Sequence, residues 1–380
     1  MSAPFVLFRD DVAGHDLLFE SPAEIIVAET ADAFFPAMDA LERARRAGKW
    51  LAGYFSYEAG YLLEPKLRPI LPEGRRTPLV CMGVFTQPSE RTLPTPSPAT
   101  NGPIFEARAA WSESDYAERF ARLHQHLRQG DCYQGNLTFP VRAQWSGTPL
   151  SAFEALVERQ PVKYGALVSL AGPAVLSRSP ELFFDIDAEG WIETHPMKGT
   201  APRGRTKAED ERQKRFLRND EKNQAENRMI VDLLRNDISL ISEVGSLDVP
   251  ELFRIETYPT LHTMVSRVRA KLLPDLTIER IFAALFPCGS ITGAPKIRAM
   301  EILRQLEAVP RDAYCGAIGW VSPTGPMRFS VAIRTITLHE NGEAVYNVGG
   351  GVVFDSTAEE EYAECLLKAR FATGTVPASG

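Results

Sequence analysis

Disulfide chemistry has little to draw on in this chain. Its five cysteines, Cys81, Cys132, Cys288, Cys315 and Cys365, are odd in number and scattered, and no CxxC pair occurs. That pattern argues for reduced thiols in a cytoplasm and against a zinc site. No apolar run is long enough to span a bilayer. The start, MSAPFVLFRDDVAG, lacks a basic segment followed by an apolar one, so no signal peptide is expected. A GxxxxGK[ST] phosphate loop is absent. The six histidines form no metal pattern; His124 and His126 lie two apart and cannot share a helix face. An excess of positive charge is missing too. The net charge of −7 speaks against nucleic acid as the partner. An anionic substrate would need local arginines and lysines to outweigh that field.

What is present is an ordinary globular composition: 380 residues, 44% hydrophobic and 24% charged. That length suits one large domain or two smaller ones and needs no disulfide staples. The stretch from Gln87 to Pro103, QPSERTLPTPSPATNGP, has the Pro, Ser and Thr content of a surface linker. It separates an expected N-terminal region, residues 1–95, from a larger unit, residues 104–376. Helices are expected near 32–47, 208–239, 295–306 and 358–371. Tyr116, Phe120, Leu123 and Leu127 mark another that Gly130 can end. Strands are expected at 49–56, 79–85, 132–139, 166–170, 181–186, 191–195, 315–321, 327–338 and 344–348. In the third of these, Gln134, Asn136 and Thr138 share one face. Strands joined by short turns favour antiparallel sheets and an α+β fold.

The most informative residue is Lys198, in Pro196-Met197-Lys198-Gly199-Thr200. Upstream, Glu181 begins one arm of an expected hairpin whose turn carries Gly190. Folding back brings Glu181 near Lys198, although a one-residue slip would swap faces. Two readings stand at this point. An edge salt bridge would contribute little. A buried pair would combine a nucleophilic amine with a protonated acid, because desolvation disfavours both charged forms.

Other positions carry the same tension. Glu226, Met229, Ile230 and Leu233 fall at helical spacing, which turns Glu226 toward the core. A cation or a core salt bridge would satisfy it. Ser356 and Glu359 fit a capping box, and Glu361, Glu364 and Lys368 share a stripe on the helix that follows. That stripe is either a solvated face or, with Glu226, a source of oxygens for Mg2+. The run GSITGAPK, 289–296, enters a helix and is either an anion site or a plain loop. Gly349, Gly350 and Gly351 allow close approach of a ligand to the backbone. On an expected strand 328–334, Arg334 lies on a small-residue face where it could clamp a carboxylate. His262 lines a pocket or is a satisfied core histidine.

Taken together, PMKGTAPRG (196–204), AENRMIVDLLRND (225–237), LFPCGSITGAPK (285–296), YCGAIGW (314–320), RFSVAIRT (328–335) and EEEYAEC (359–365) resemble the chorismate-utilising enzymes. The N-terminal LFESP (18–22) and GYFSYEAG (53–60) are similar to the matching region of that family. The resemblance implies a sandwich of large antiparallel sheets with helices outside. It implies Mg2+ between Glu226 and Glu364, with Glu361 close by, gripping the ring carboxylate of chorismate. Glu181 would protonate the departing 4-hydroxyl, Lys198 would add at C2, and ammonia would then add at C4 and expel Lys198. The implied product is 4-amino-4-deoxychorismate, the precursor of p-aminobenzoate and folate. Tyr314 and Arg334 match residues that hold the pyruvyl carboxylate. Thr292, His262, Lys368 and the amides of Gly349 to Gly351 match other substrate contacts.

Two positions discriminate within the family. Anthranilate synthases usually carry alanine where this chain has Lys198. Members that add water carry a lysine base where this chain has Gln134, and glutamine is a poor base. No GxCxG-type glutaminase motif is present, so the resemblance implies ammonia from solution or from a separate glutamine amidotransferase subunit. The N-terminal part is shorter than in many members, and some of those bind tryptophan near the position of Ser21. Two alternatives stay open: an enzyme that aminates C2, and a non-catalytic homologue that only binds chorismate.

Overall fold

The computed structural model of the chain describes residues 3–89, 103–258 and 261–379. Most of the expected linker falls on 90–102, outside the described residues. The chain begins with β1 (Phe5–Asp10), β2 (His15–Glu20), β3 (Glu24–Ala28), α1 (Ala31–Arg46), β4 (Trp50–Phe55), α2 (Ala59–Leu63) and β5 (Val80–Phe85). It continues with β6 (Ile104–Ala109), α3 (Glu113–Gln129), β7 (Gln134–Trp145), α4 (Pro149–Arg159), β8 (Tyr164–Ser169), β9 (Ala174–Ser179), β10 (Leu182–Ile186), β11 (Trp191–Thr194) and β12 (Met197–Pro202). Next come α5 (Lys207–Asn219), α6 (Glu221–Ser239), β13 (Asp248–Thr257), β14 (Leu261–Lys271), α7 (Ile278–Leu285), β15 (Gly293–Ala294) and α8 (Lys296–Leu306). The last elements are β16 (Ala317–Val321), β17 (Met327–Val331), β18 (Thr335–Leu338), β19 (Glu343–Val352) and α9 (Ala358–Ala369). No helix among the described residues is long and apolar enough to cross a membrane.

The strands form two antiparallel sheets. One runs β15-β7-β19-β18-β9-β8-β1-β2, with β6 also on β7. The other runs β12-β14-β11-β10-β17-β16-β4-β5-β3, with β13 also on β14. Strands from before the proline-rich segment enter both: β1 pairs with β8, and β4 pairs with β16. The sheets meet face to face through Val6, Phe19, Val168 and Val175 of the first and Tyr54, Cys81, Phe85 and Ile318 of the second. The outer face of the first sheet is covered by α3, α4, α8 and α9, and that of the second by α1, α2, α6 and α7. The expected α+β sandwich with helices outside is what the chain forms.

Local rules explain many elements. Helix α3 starts at Ser112, which forms a capping box with Asp115, and closes at Gly130 with φ 77°. Its expected stripe of Tyr116, Phe120, Leu123 and Leu127 is buried. Elsewhere the structure corrects the expectation. The single helix expected over 208–239 is two, because Asp220 adopts an extended ψ of 110° and ends α5. The strand expected over 327–338 is two strands in different sheets, since β17 ends at Val331 and Arg334 takes φ 51°. Arg334 therefore sits at a crossing between sheets and not on the face of a continuing strand. Thr357, not Ser356, caps α9 and accepts from the Glu360 amide. On α6 the fully buried polar residue is Asn227, while Glu226 lies half-buried at the edge of the stripe.

Candidate active site

Register brings the acid and the amine together. In the β10–β11 hairpin Asp185 pairs with Glu193 and Ile186 with Ile192. Glu181 lies just before β10, close enough to Lys198 for the lysine charge to act on its carboxyl. Between Met197↔Val265 and Thr200↔Thr263 the β12–β14 ladder shifts, so two residues of β12 oppose one of β14. Lys198 and Gly199 are the residues of this bulge. A bulge re-aims a side chain, and here it turns the Lys198 amine out of the pleat. Gly199 has φ +82°, and a Cβ on it would lie 2.6 Å from Asn223 Oδ1 of α6. Only glycine meets both demands without strain.

The Lys198 side chain is 17% exposed, so its amine is not in bulk solvent. It faces the glycine run of β19: a Cβ on Gly351 would lie 3.1 Å from Lys198 Nζ and 3.1 Å from Gln134 Cδ. Gln134 is completely buried, and neither its amide nitrogen nor its oxygen has a hydrogen-bond partner. Buried orphans of this kind are costly and point to a ligand that completes them. The short strand β15 braces Gln134 from the other edge, pairing Ala294 with it. In this way GSITGAP forms a wall of the pocket.

Carboxylates surround the amine. Glu226 Oε2 lies 3.9 Å from Lys198 Nζ. Burial pushes the Glu181 carboxyl up to about 7, against the pull of a hydrogen bond from Ser290 and of Lys198. Glu361 lies against Gly350, on which a Cβ would come 2.7 Å from Glu361 Oε2. Burial pushes the Glu361 carboxyl upward, the Ser356 hydroxyl at 2.7 Å pulls it down, and repulsion from Glu364 adds to the rise. Glu364 is exposed. Partial desolvation by its surroundings raises its carboxyl, but Lys368, at 2.8 Å, together with Lys198 and Lys222, outweighs that and holds it below the usual range. Lys368 Nζ also donates to the carbonyl of Gly349 at 3.0 Å. Gln134, Glu181, Lys198, Glu226, Gly349 to Gly351, Glu361, Glu364 and Lys368 thus cluster around the amine and the glycine run.

The remaining candidates stand apart from that group. Thr292 is buried and its hydroxyl turns back onto the carbonyls of Cys288 and Gly289, at 3.2 and 3.3 Å. His262 is fully buried, with Nε2 3.0 Å from Asp210 Oδ1 and Nδ1 3.0 Å from Thr257 Oγ1. Both ring nitrogens are therefore engaged by the protein. Tyr314 is buried within electrostatic reach of Cys365 on α9. Arg334 lies against the side-chain amide of Gln160, which with its oxygen turned toward the guanidinium accepts from Nε at 3.2 Å and from Nη1. Burial alone pulls the Arg334 guanidinium down to about 10, and no carboxylate pairs with it among the described residues. A desolvated cation without an acid is poised for an anion. Nothing local in the sequence marks Ser290 as the partner of Glu181, or Asn223 and Thr263 as the neighbours of Gly199.

The donor set suits a hard divalent ion. No group of three or more His, Cys, Asp or Glu side chains among the described residues forms a ready cage. Mg2+ needs none, since one or two carboxylates plus substrate oxygens and water complete its shell. Glu226 on α6 and the mutually repelling Glu361 and Glu364 on α9 offer such oxygens. The lysines nearby and the glycine-rich wall suit a small, planar dianion.

Comparison with known proteins identifies the family and the fold. The family described as chorismate binding enzyme matches residues 3–374. Aminodeoxychorismate synthase component 1 of Salmonella typhimurium is 42% identical over 268 residues, which is 70% of this chain and 59% of that protein. The protein of the same name from Escherichia coli is 44% identical over 257 residues, 68% of this chain and 56% of that one. The match thus spans less than two thirds of these relatives. The crystal structure of anthranilate synthase component I from Streptococcus pneumoniae superposes with a TM-score of 0.81 at 25% identity, over 98% of this chain and 93% of that one.

Proposed function

The chain belongs to the chorismate-binding enzymes, and from that premise we propose that it aminates chorismate at C4 to give 4-amino-4-deoxychorismate. The observation that carries this reading is the Lys198 amine, held by a bulge against Gly351 and Gln134 and within charge reach of Glu181, Glu226, Glu361 and Glu364. The relatives named aminodeoxychorismate synthase component 1 support it.

In this reading the Lys198 nitrogen adds at C2 while the diene shifts and the C4–O bond breaks. Glu181 donates its proton to the departing oxygen, so water leaves. Ammonia then adds at C4, the double bonds shift back, and the C2–N bond to Lys198 breaks. Glu181 is suited to the acid role because burial keeps part of it protonated near neutral pH. Gln134 offers an amide beside the reacting centre and cannot serve as a base for water. The family resemblance assigns Arg334 to the pyruvyl carboxylate; its guanidinium lies against Gln160 and would have to swing toward the amine on binding. Glu226 and Glu364, with Glu361 next to them, would hold Mg2+, which supplies charge neutralisation for the ring carboxylate. Holding two anionic groups still accounts for much of the rate gain. Ammonia would reach the site from solution or from a glutamine amidotransferase partner.

Incubation with chorismate, Mg2+ and ammonium, followed by chromatography, tests the proposal. Aminodeoxychorismate is the expected product. Anthranilate would instead assign C2 amination, and no turnover would assign a binding role. The metal assignment has its own test. Glu226→Gln or Glu364→Gln is expected to raise the Mg2+ concentration for half-maximal rate by roughly tenfold, since each removes one charged oxygen ligand. Unchanged Mg2+ titrations in both variants would remove these residues from the metal site.

A further inference from the structure

Strand β14 presents consecutive residues to opposite sides. His262 turns to Asp210, which also accepts from Arg203 Nε at 2.8 Å and so ties α5 down. Thr263 turns the other way. It is 1% exposed, and its Oγ1 donates to the carbonyl of Gly199 at 3.1 Å. That carbonyl belongs to the bulge that carries Lys198. On the opposite flank Asn223 of α6 fills the space a Gly199 side chain would take and is itself held by Asp220 Oδ2 at 2.8 Å. The bulge is therefore gripped from two sides: a hydroxyl on its carbonyl and an amide against its Cα.

We propose that Thr263 is a positioning residue for the amine, its hydroxyl locking the Lys198–Gly199 bulge so that Nζ faces Gly351 and Gln134. A bulge has more than one local arrangement open to it, because part of its ladder bonding is lost. With the bulge pinned, the lysine stem leaves in one direction. With the pin removed, the glycine backbone is free to relax and the amine loses its alignment. Misplacement by about 1 Å can cost about 100-fold in rate. The catalytic part of this inference rests on the amination reading above; the geometric part does not.

Two substitutions separate the hydroxyl from the shape of the side chain. Thr263→Val keeps the β-branch and strand propensity but removes the donor. Thr263→Ser keeps the donor and loses a methyl. Thr263→Val is expected to lower kcat for amination by about 10- to 100-fold with the KM for chorismate nearly unchanged. Thr263→Ser is expected to restore most of kcat. A merely structural role predicts the reverse order, since the serine leaves a cavity and the valine does not. The second readout is labelling of the amine by an acylating reagent, mapped by peptide mass spectrometry. Lys198 is expected to label several-fold faster in Thr263→Val than in wild type, with Lys222 and Lys368 unchanged. Wild-type kcat and labelling in Thr263→Val, or an equal fall in both variants, would overturn the proposal. A wild-type protein that does not aminate chorismate would sink the functional reading, and the labelling comparison would then judge Thr263 alone.

Discussion

Lys198→Ala is expected to slow formation of aminodeoxychorismate by about 1000-fold, a barrier increase of about 4 kcal/mol. The reason is mechanistic economy: an amine at C2 splits one displacement at C4 into two conjugate additions, each with an aligned nucleophile. Without it, ammonia that enters the cleft meets the same activated diene directly. Residual turnover is therefore expected to shift toward amination at C2. Chromatography of the products and intact-mass analysis of the wild-type protein during turnover check both halves. Unchanged rate and product in Lys198→Ala would remove the covalent role. The fold gives little reason for confusion with misfolding, because Lys198 is the second residue of β12, the strand that ends its sheet, and its side chain packs against a glycine wall rather than a core cluster.

Glu181→Gln carries the second large effect. Loss of a general acid typically costs about 100- to 10,000-fold, and the fall here is expected within that range. The pH profile is the sharper readout. Burial sets the Glu181 carboxyl at about 7, so the protonated donor is lost as pH rises through that value and the wild-type rate falls with it. In Glu181→Gln that limb is expected to vanish from what activity remains. Stability falls over the same pH range. The folded-state value lies above the unfolded value of about 4.3. The neutral buried acid is therefore tolerated below that unfolded value, and stability is lost as pH rises from there through 7. The glutamine variant, which cannot ionise, is expected to melt higher than wild type above pH 7. Equal melting temperatures at pH 8, together with an intact alkaline limb, would place the proton donor elsewhere.

Much of this site was legible before any coordinates. Lys198, Glu181, Glu361, Glu364 and the glycine run were each visible as chemistry out of place: an amine beside a glycine, acids on half-apolar helices, three glycines ending a strand. Helix α3 was legible to the cap, because capping and the 3.6 spacing are local. Where the chain departed from expectation, a tertiary contact prevailed. Asp220 breaks the long charged helix so that α5 can latch to His262 while α6 lies on β14. Arg334 looked like one more residue of an alternating strand, yet the chain there changes sheets, which no periodicity announces. His262 read equally as a pocket residue or a satisfied core histidine; both its ring nitrogens are engaged within the protein, while its neighbour Thr263 turns to the Gly199 carbonyl, and that choice of face is set by the pairing of β14.

By itself the amino-acid order determined the class of fold, the family, and which side chains had the chemistry to act, since composition, spacing and turn residues are properties of short stretches. It did not decide which of those side chains share a cavity. That depended on the β10–β11 register, on a two-against-one mismatch in the β12–β14 ladder and on the approach of α6 and α9, all of them contacts between segments far apart in the chain. The physical reason is that side-chain direction in a sheet alternates with each residue, so a single step of register converts a catalytic group into a core or surface one.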